Sequence, residues 1–135
     1  MKSRRISVVI FYDNGKILLQ DRTGHKSKCK RYGFFGGGIE RKEAPEQALV
    51  REVKEELDYD IKDFKFIGKF CGKNKVSKRV IFTYISRLKD IKKFKQKEGK
   101  DMKLVDLKTV EKLIPHRSWN KKTISFLKKN SQLIE

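Results

Sequence analysis

The sequence predicts an α/β fold in which one domain, residues 1–135, builds a sheet flanked by helices. Segments in which apolar and polar residues alternate are typical of strands, and segments with apolar residues three and four apart are typical of helices. A chain of 135 residues, 37% of them hydrophobic, is large enough to bury a core without disulfides. The predicted order is a β-hairpin, a strand, a helix, three strands and two helices, with no repeat or linker that would mark a second domain.

A β-hairpin is predicted at the start of the chain. Residues 6–12 alternate in polarity, and the dipeptide Asn14-Gly15 stands between them and a second apolar run over 16–20. Asn-Gly favours the positive φ angles of a type I′ turn, which joins two antiparallel strands.

The first helix is predicted over residues 45–57. A polar, basic loop over 21–31 and a short aromatic strand over 32–35 precede it, and that strand ends in three glycines, 36–38. Proline suits the first turn of a helix, where Pro45 stands. The apolar side chains of the helix recur at three- and four-residue spacing: Leu49, Val50, Val53 and Leu57.

The second half of the chain is predicted to add three strands and two helices. The strands are expected over 64–71, 79–88 and 102–105, with a lysine-rich loop or edge strand over 90–100. A short helix over 107–113 and an amphipathic helix over 119–129, anchored by Trp119, complete the fold.

The net charge of +18 is unevenly distributed along the chain. Residues 1–36 carry nine basic and two acidic groups, net +7; residues 37–59 carry four and seven, net −3; residues 60–135 carry twenty-two and eight, net +14. An acidic island in a cationic protein suits a divalent cation held opposite an anionic substrate. The alternative is a lysine-rich composition spread over solvated faces.

Several classes of protein are excluded by the composition. No apolar run approaches the length needed to span a bilayer, and the first residues lead directly into a strand pattern instead of a signal peptide, so we expect a cytoplasmic protein that does not bind membranes. Cys29 and Cys71 are far apart, with no Cys-x-x-Cys motif and no nearby pair of histidines. This excludes a recognisable zinc site or disulfide framework.

Three carboxylates of the 45–57 helix form the strongest chemical pattern. Glu52, Glu55 and Glu56 are spaced to share one face within one turn, where like charges repel unless a cation relieves them. Oxygen ligands favour Mg²⁺, with Mn²⁺ as the alternative, over zinc. The glycines that precede the helix allow a carbonyl of Gly36 or Gly37 to reach the same ion. An exposed acidic helix face without a metal is the competing interpretation.

The spacing of these residues resembles the Nudix box, G-x5-E-x7-R-E-U-x-E-E-x-G-U, where U is aliphatic. Gly37 is followed after five residues by Glu43 and after seven more by Arg51-Glu52-Val53-Lys54-Glu55-Glu56-Leu57-Asp58-Tyr59, so that six of seven fixed positions match. The departures are Asp58 in place of glycine, Tyr59 in place of an aliphatic residue, Phe35 in place of a frequent proline, and Ala44 in place of a capping Thr or Ser.

The resemblance implies a Nudix-type α/β/α sandwich with a mixed central sheet, in a MutT-like, Mg²⁺-dependent hydrolase that cleaves a nucleoside diphosphate linked to another group. It implies that Glu55 and Glu56 bind metal, that Glu52 binds metal or acts as base, and that Arg51, paired with Glu43, orients Glu52. The carbonyl of Gly36 or Gly37 would complete the shell. Members of the family often add a later carboxylate; Glu98, with Asp101 as the second choice, occupies the matching stretch.

The substrate prediction depends on other side chains. Arg22 and Arg31 can grip phosphate and Tyr32 can stack on a base, although all three also suit exposed or packed positions. The favoured substrate is a nucleoside triphosphate, including oxidised ones, cleaved to monophosphate and pyrophosphate. Two alternatives stay open: hydrolysis of an RNA 5′ polyphosphate or cap held by the basic surface, and a non-catalytic module that binds a nucleotide or nucleic acid. The sequence leaves monomer and homodimer equally open.

Overall fold

The computed structural model describes residues 2–22, 32–73, 75–89, 91–95 and 101–135, and these contain seven strands, three α-helices and two short 3₁₀ turns. The strands are β1 (Lys2–Asp13), β2 (Lys16–Asp21), β3 (Tyr32–Gly33), β4 (Phe35–Gly38), β5 (Lys65–Lys73), β6 (Ser77–Arg87) and β7 (Asp101–Asp106). The helices are α1 (Pro45–Leu57), α2 (Leu107–Leu113) and α3 (Ser118–Lys129), and the 3₁₀ turns are Ile91–Lys93 and Ser131–Ile134.

The sheet is mixed, as predicted, and β1 is its central strand. β1 pairs with β2 and β4 antiparallel and with β6 parallel, giving the order β3-β2-β1-β6-β5, with β4 added along β1 and β7 along β2. The parallel ladder runs from Lys2 opposite Ser77 to Tyr12 opposite Arg87. It therefore brings together segments that lie 75 residues apart in sequence.

Helices cover the sheet on both sides, so the layers are those of an α/β/α sandwich. One core lies under α1 and includes Val9, Phe11, Phe35 and Leu49. The other lies under α2 and α3 and is built from different side chains of the same strands, because neighbouring residues of a strand face opposite sides of the sheet. No helix in the described ranges is long and apolar enough to cross a membrane.

The hairpin turn and both ends of α1 match the sequence analysis. Asn14 and Gly15 have φ angles of 48° and 77°, as a type I′ turn requires. At the start of α1, Ala44 offers no side-chain cap, but its N–H donates to Gln47 Oε1 at 2.8 Å. At the end of the helix, Asp58 adopts the left-handed conformation, φ 52° and ψ 40°, that a glycine takes more easily.

Two predicted segments differ from the structure. The aromatic strand divides into β3 and β4, and the three glycines that follow it extend β4, paired with β1 from Ile6 to Val8. In the lysine-rich segment, the described residues form a 3₁₀ turn that seats Phe94 in the core under α1. The rest of that segment lies outside the described residues.

Gly36 is the position at which β4 most strictly requires glycine. Its φ of 141° is a conformation that residues with a side chain rarely adopt, and a Cβ there would overlap the backbone carbonyl of Ser7 in β1. Gly38, two residues on, has an ordinary conformation, and its Cβ would lie 3.5 Å from Arg4 Nη2.

Gly36→Ala is expected to destabilise the protein by about 3 kcal/mol, because backbone strain and the overlap with β1 act together. Gly38→Ala is the matched control and should change stability little, since its added methyl group makes only an ordinary contact. Urea titration of both variants measures the difference, and equal midpoints for the two would contradict the strain at Gly36.

Candidate active site

The carboxylate of Glu52 lies directly against the backbone of β4. A Cβ on Gly37 would come within 2.6 Å of both oxygens of the Glu52 carboxylate, so only glycine permits this approach. The contact places the middle of α1 beside the glycine strand. It also explains physically why a fixed glycine stands fifteen residues before this glutamate.

Arg51 ties α1, β4 and the segment between them together. Its Nε and Nη2 donate to the two oxygens of Glu43 at 2.8 and 2.9 Å, and Nη2 also donates to the Gly38 carbonyl at 2.9 Å. Nη1 donates to Glu52 Oε1 at 2.8 Å. The hydrogen bonds from Arg51 hold the pKa of Glu43 at about 2 and raise the pKa of Arg51 itself. The pairing of Arg51 with Glu43 that the family resemblance implied is therefore present.

Glu56 is a buried carboxyl group that the sheet supplies with donors. Glu56 is only 2% exposed, and this burial raises the pKa of its carboxyl group to about 7. Gln20 Nε2 donates to Glu56 Oε2 at 2.7 Å, and the Gly36 N–H donates to Glu56 Oε1 at 2.9 Å. Both hydrogen bonds favour the ionised carboxylate and so oppose the rise in pKa. Gln20 also donates to the Phe34 carbonyl at 3.1 Å, so one side chain of β2 positions Glu56 against β4.

The helical spacing predicted that the three carboxylates share one face of α1, but they differ in exposure. Glu56 is buried, the Glu52 side chain is 18% exposed, and the Glu55 side chain is 53% exposed with Oε1 3.4 Å from Arg51 Nη1. Among the residues that the structure describes, no three acidic, histidine or cysteine side chains are grouped closely enough to hold a metal in these positions. The Arg51 guanidinium forms ion pairs with Glu52 and Glu55.

The donor chemistry nevertheless fits a hard divalent cation. Every candidate ligand is an oxygen, and Arg51 is the cation shared by Glu43, Glu52 and Glu55, which leaves excess negative charge. Glu52 Oε2 accepts no hydrogen bond from the described residues. A metal bound here would use Glu52 Oε2, while Oε1 keeps its hydrogen bond from Arg51.

A cleft of about 360 Å³ lies on the other side of the glycine strand. Gly36 and Gly37 line it together with Arg4 of β1, Arg22 directly after β2, Arg79 of β6 and Trp119 of α3. In the described parts of the chain, none of these arginines forms an ion pair with a carboxylate. The cleft therefore presents cations without carboxylate partners, a lining whose charge suits an anion.

Arg79 is the most enclosed cation of the cleft. Its guanidinium lies 5.0 Å from the ring centroid of Trp119, and its pKa is lowered first by burial and then by the charges of Arg4 and Arg117. A cation that is partly desolvated and faces other cations gains most from a bound anion.

The two predicted substrate residues that the structure describes lie in or beside the cleft. Arg22 lines it, and Tyr32 lines an adjoining pocket beside Arg22 and Trp119. Asp101, the second choice for a later carboxylate, begins β7 opposite Asp21. Arg31 and Glu98 lie outside the described residues.

Sequence reasoning missed Arg4, Arg79, Gln20 and the cleft role of Trp119. Arg4 and Arg79 face each other across the parallel β1–β6 ladder, which no local pattern predicts. Trp119 does pack α3 against the sheet, since a Cβ on Gly72 would lie 2.6 Å from its ring, and it lines the cleft as well. Gln20 had a detectable signal, a polar side chain in an otherwise apolar strand.

A second cavity of similar size lies between α2 and α3, away from the carboxylates of α1. Its lining includes Glu111 and Lys128, which form an ion pair with each other, and His116. Its one carboxylate is thus already paired with a lysine, and the acidic residues of α1 lie elsewhere, beside β4.

A comparison with known protein families decides the affiliation of the chain. The family model described as NUDIX domain matches residues 1–127. The chain belongs to the Nudix family. The prediction made from the box is therefore confirmed, and the sheet and helices described above are those of a Nudix fold.

Characterised Nudix relatives share about a third of their residues with the chain over the aligned segments. The CTP pyrophosphohydrolase of Escherichia coli K12 is 31% identical over 90 residues, 67% of this chain and 65% of that protein. The 8-oxo-dGTP diphosphatase of the same organism is 36% identical over 70 residues, 51% of this chain and 54% of that protein. The RNA pyrophosphohydrolase of Marinomonas sp. MWYL1 is 34% identical over 67 residues, which cover 50% of this chain and 39% of that protein. The chain thus spans between 39% and 65% of these relatives.

Solved Nudix structures share the fold at low sequence identity. The MutT protein from Methanosarcina mazei Go1 matches with a TM-score of 0.77 at 14% identity, over 96% of each chain. The E. coli ORF135 protein matches with a TM-score of 0.74 at 19% identity, over 95% of this chain and 92% of that one. The expected sandwich with a mixed sheet is confirmed.

The stabilisation from Glu43 is expected to depend on pH in a defined window. Its pKa is about 2 in the folded protein against an ordinary value of 4.5, so the ionised pair with Arg51 stabilises fully above pH 4.5. That contribution is lost as the pH falls toward 2. The melting temperature of the wild type should exceed that of Glu43→Gln at pH 6, and the gap should narrow below pH 4.5. A gap that is constant between pH 6 and pH 3 would contradict this assignment.

Proposed function

We propose that this Nudix protein is a Mg²⁺-dependent pyrophosphohydrolase that cleaves a nucleoside triphosphate to monophosphate and pyrophosphate, with Mn²⁺ as an alternative metal. The observation that carries the proposal is the position of β4 between two opposite charges. The carboxylates of α1 lie on one side of Gly36 and Gly37, and the arginine-lined cleft lies on the other. A polyphosphate in that cleft would meet arginines and the metal-binding carboxylates together.

The metal would be held by Glu52, Glu55 and Glu56 and by the carbonyl of Gly36 or Gly37. When bound, Mg²⁺ supplies neutralisation of phosphate oxygens and acidification of a water molecule. Glu52 has one oxygen fixed by Arg51, and its Oε2 is open to face the metal or to accept a proton from water. Arg51, itself held by Glu43, orients Glu52.

Arginines of the cleft would bind the phosphates. Arg4, Arg22 and Arg79 approach the glycine strand from β1, from the end of β2 and from β6, so they can contact different phosphate groups of one chain. Trp119 and Tyr32 offer ring faces at the edge of the cleft for a base. The CTP and 8-oxo-dGTP activities that the relatives' names state support a triphosphate substrate.

An RNA 5′ polyphosphate is the second candidate substrate. The net charge of +18 favours it, and so does the similarity to an RNA pyrophosphohydrolase. A panel of nucleoside triphosphates, oxidised nucleotides and a 5′-triphosphorylated RNA, assayed with Mg²⁺ for monophosphate, pyrophosphate and orthophosphate, separates the two. Turnover of the RNA alone would replace the first candidate by the second. No release of phosphate products from the panel would overturn both.

Glu52→Gln and Glu55→Gln are expected to lower kcat by at least about 100-fold in a protein that stays folded, because each removes a ligand charge but keeps the size of the side chain. Glu46→Gln is the matched control in the exposed first turn of α1 and should keep near-normal turnover. Glu56→Gln is a poorer test, since an amide there would face the donors of Gln20 and Gly36 and disturb folding. Near-normal kcat in both site variants would show that these carboxylates do not serve the reaction.

Arg79→Ala and Arg22→Ala are each expected to raise KM for the triphosphate by about 10- to 100-fold, the loss of one charge-assisted hydrogen bond to phosphate. The same change at Arg87, at the far end of β6, is the control, because Arg87 contacts Asp13 and the ring of Tyr12 instead of the cleft. Steady-state kinetics on all three variants makes the comparison. The cleft would lose its assigned role if KM changed no more in Arg79→Ala than in Arg87→Ala.

A further inference from the structure

Among the described residues, no helix covers one part of the sheet on the side that carries α1. Helix α1 packs over β4 and β1, and α3 packs over the opposite side of β5, so in the described parts of the chain the strand ends beyond α1 have no covering helix on this side. Alternate side chains of β6 point to this side of the sheet, and so do the side chains paired with them on β1 and β5. Together they place nine side chains on the uncovered part. We call these the open sheet face: Ser3, Arg5, Phe66, Lys69, Cys71, Lys73, Lys78, Val80 and Phe82.

The open sheet face is strongly cationic. Of its nine residues, four carry a positive charge and none is acidic: Arg5, Lys69, Lys73 and Lys78, with Lys78 and Lys73 directly opposite each other. The other five residues are neutral, so the charge of the face is of one sign. Glu46, in the first turn of α1, borders the face beside Tyr84.

The four cationic side chains of the open sheet face are accessible to a ligand. They are Arg5, Lys69, Lys73 and Lys78. All four are exposed, and none forms an ion pair with a carboxylate within the described residues. The face therefore favours a polyanion.

Two phenylalanines lie among these cations. Phe66 is 47% exposed, and its ring centroid lies 6.5 Å from that of Phe82. The guanidinium of Arg5 lies 5.3 Å and the ammonium of Lys69 lies 5.8 Å from the Phe82 ring centroid. An exposed aromatic ring beside cations offers a stacking surface for a base next to partners for the phosphates on either side of it.

We infer that the open sheet face binds single-stranded nucleic acid, with Phe66 stacking on a base and the lysines contacting the backbone. A second copy of this chain fits poorly, because a self-complementary contact would bring the same cations together. Base-paired nucleic acid also fits less well, since its bases are already stacked on each other. The inference goes beyond the proposed function, because the face and the cleft are lined by different residues.

The experiment measures binding of a fluorescent 12-nucleotide RNA with a 5′ hydroxyl, in EDTA, by anisotropy between 50 and 200 mM salt. This probe has no phosphoanhydride bond and needs no metal, so its binding does not depend on the proposed hydrolysis. The wild type is expected to bind the single strand more tightly than the corresponding duplex, with an affinity that falls as salt rises. A DNA strand of the same sequence tests whether the sugar matters.

Substitutions on the face separate stacking from charge. Phe66→Ala and Phe66→Leu should each weaken binding by about 5- to 10-fold, because leucine keeps apolar bulk but cannot stack as a ring does. The triple variant Lys69→Ala, Lys73→Ala, Lys78→Ala should reduce the slope of log affinity against log salt by about 2. The control triple removes the same charge from α2 and α3, at Lys108, Lys112 and Lys129, and should bind much more like the wild type.

Three results would overturn the inference. The first is an RNA affinity of Phe66→Ala equal to that of the wild type, and the second is an equal loss of RNA affinity in the two lysine triples. The third is a loss of RNA binding in Arg79→Ala alone, which would show that the RNA binds in the cleft. Nucleotide hydrolysis by the Phe66 variants should stay at the wild-type rate, so a failure of this inference and a failure of the proposed function are distinguishable.

Discussion

The guanidinium of Arg51 is the interaction on which the arrangement of the site depends. It binds both oxygens of Glu43, one oxygen of Glu52 and the carbonyl of Gly38, and so it joins the helix, the segment before it and the glycine strand. A lysine has one ammonium group and cannot supply this planar set of donors. The same charge offsets repulsion among the carboxylates, which allows them to lie close together without a metal.

Glu56 illustrates a conflict between stability and function. Burial raises its pKa to about 7, so the ionised form is disfavoured near neutral pH, yet Gln20 and Gly36 both donate hydrogen bonds that favour it. A residue selected for stability alone would be apolar at this position. A buried carboxylate with aligned donors suits a ligand whose orientation is fixed before a cation arrives.

Local signals predicted much of the fold and part of the site. The bounds of α1 follow from Pro45 and from the apolar spacing that ends at Leu57, and the hairpin follows from Asn14-Gly15, because each depends on neighbouring residues. The parallel pairing of β1 with β6 depends on distant segments, so the meeting of Arg4 with Arg79 had no local signal. The burial of Glu56 likewise depends on a side chain of β2.

The glycine strand explains why opposite charges can serve one substrate. Carboxylates and arginines placed side by side would pair with each other and leave neither free, as Arg51 already does with Glu43 and Glu52. Here the β4 backbone separates α1 from the cleft, and glycine at 36 and 37 keeps that separation to the thickness of a strand without side chains. Under the proposed function, a polyphosphate at this edge would be within reach of both groups, and its phosphates would supply the partners that the arginines of the cleft do not find in an ion pair.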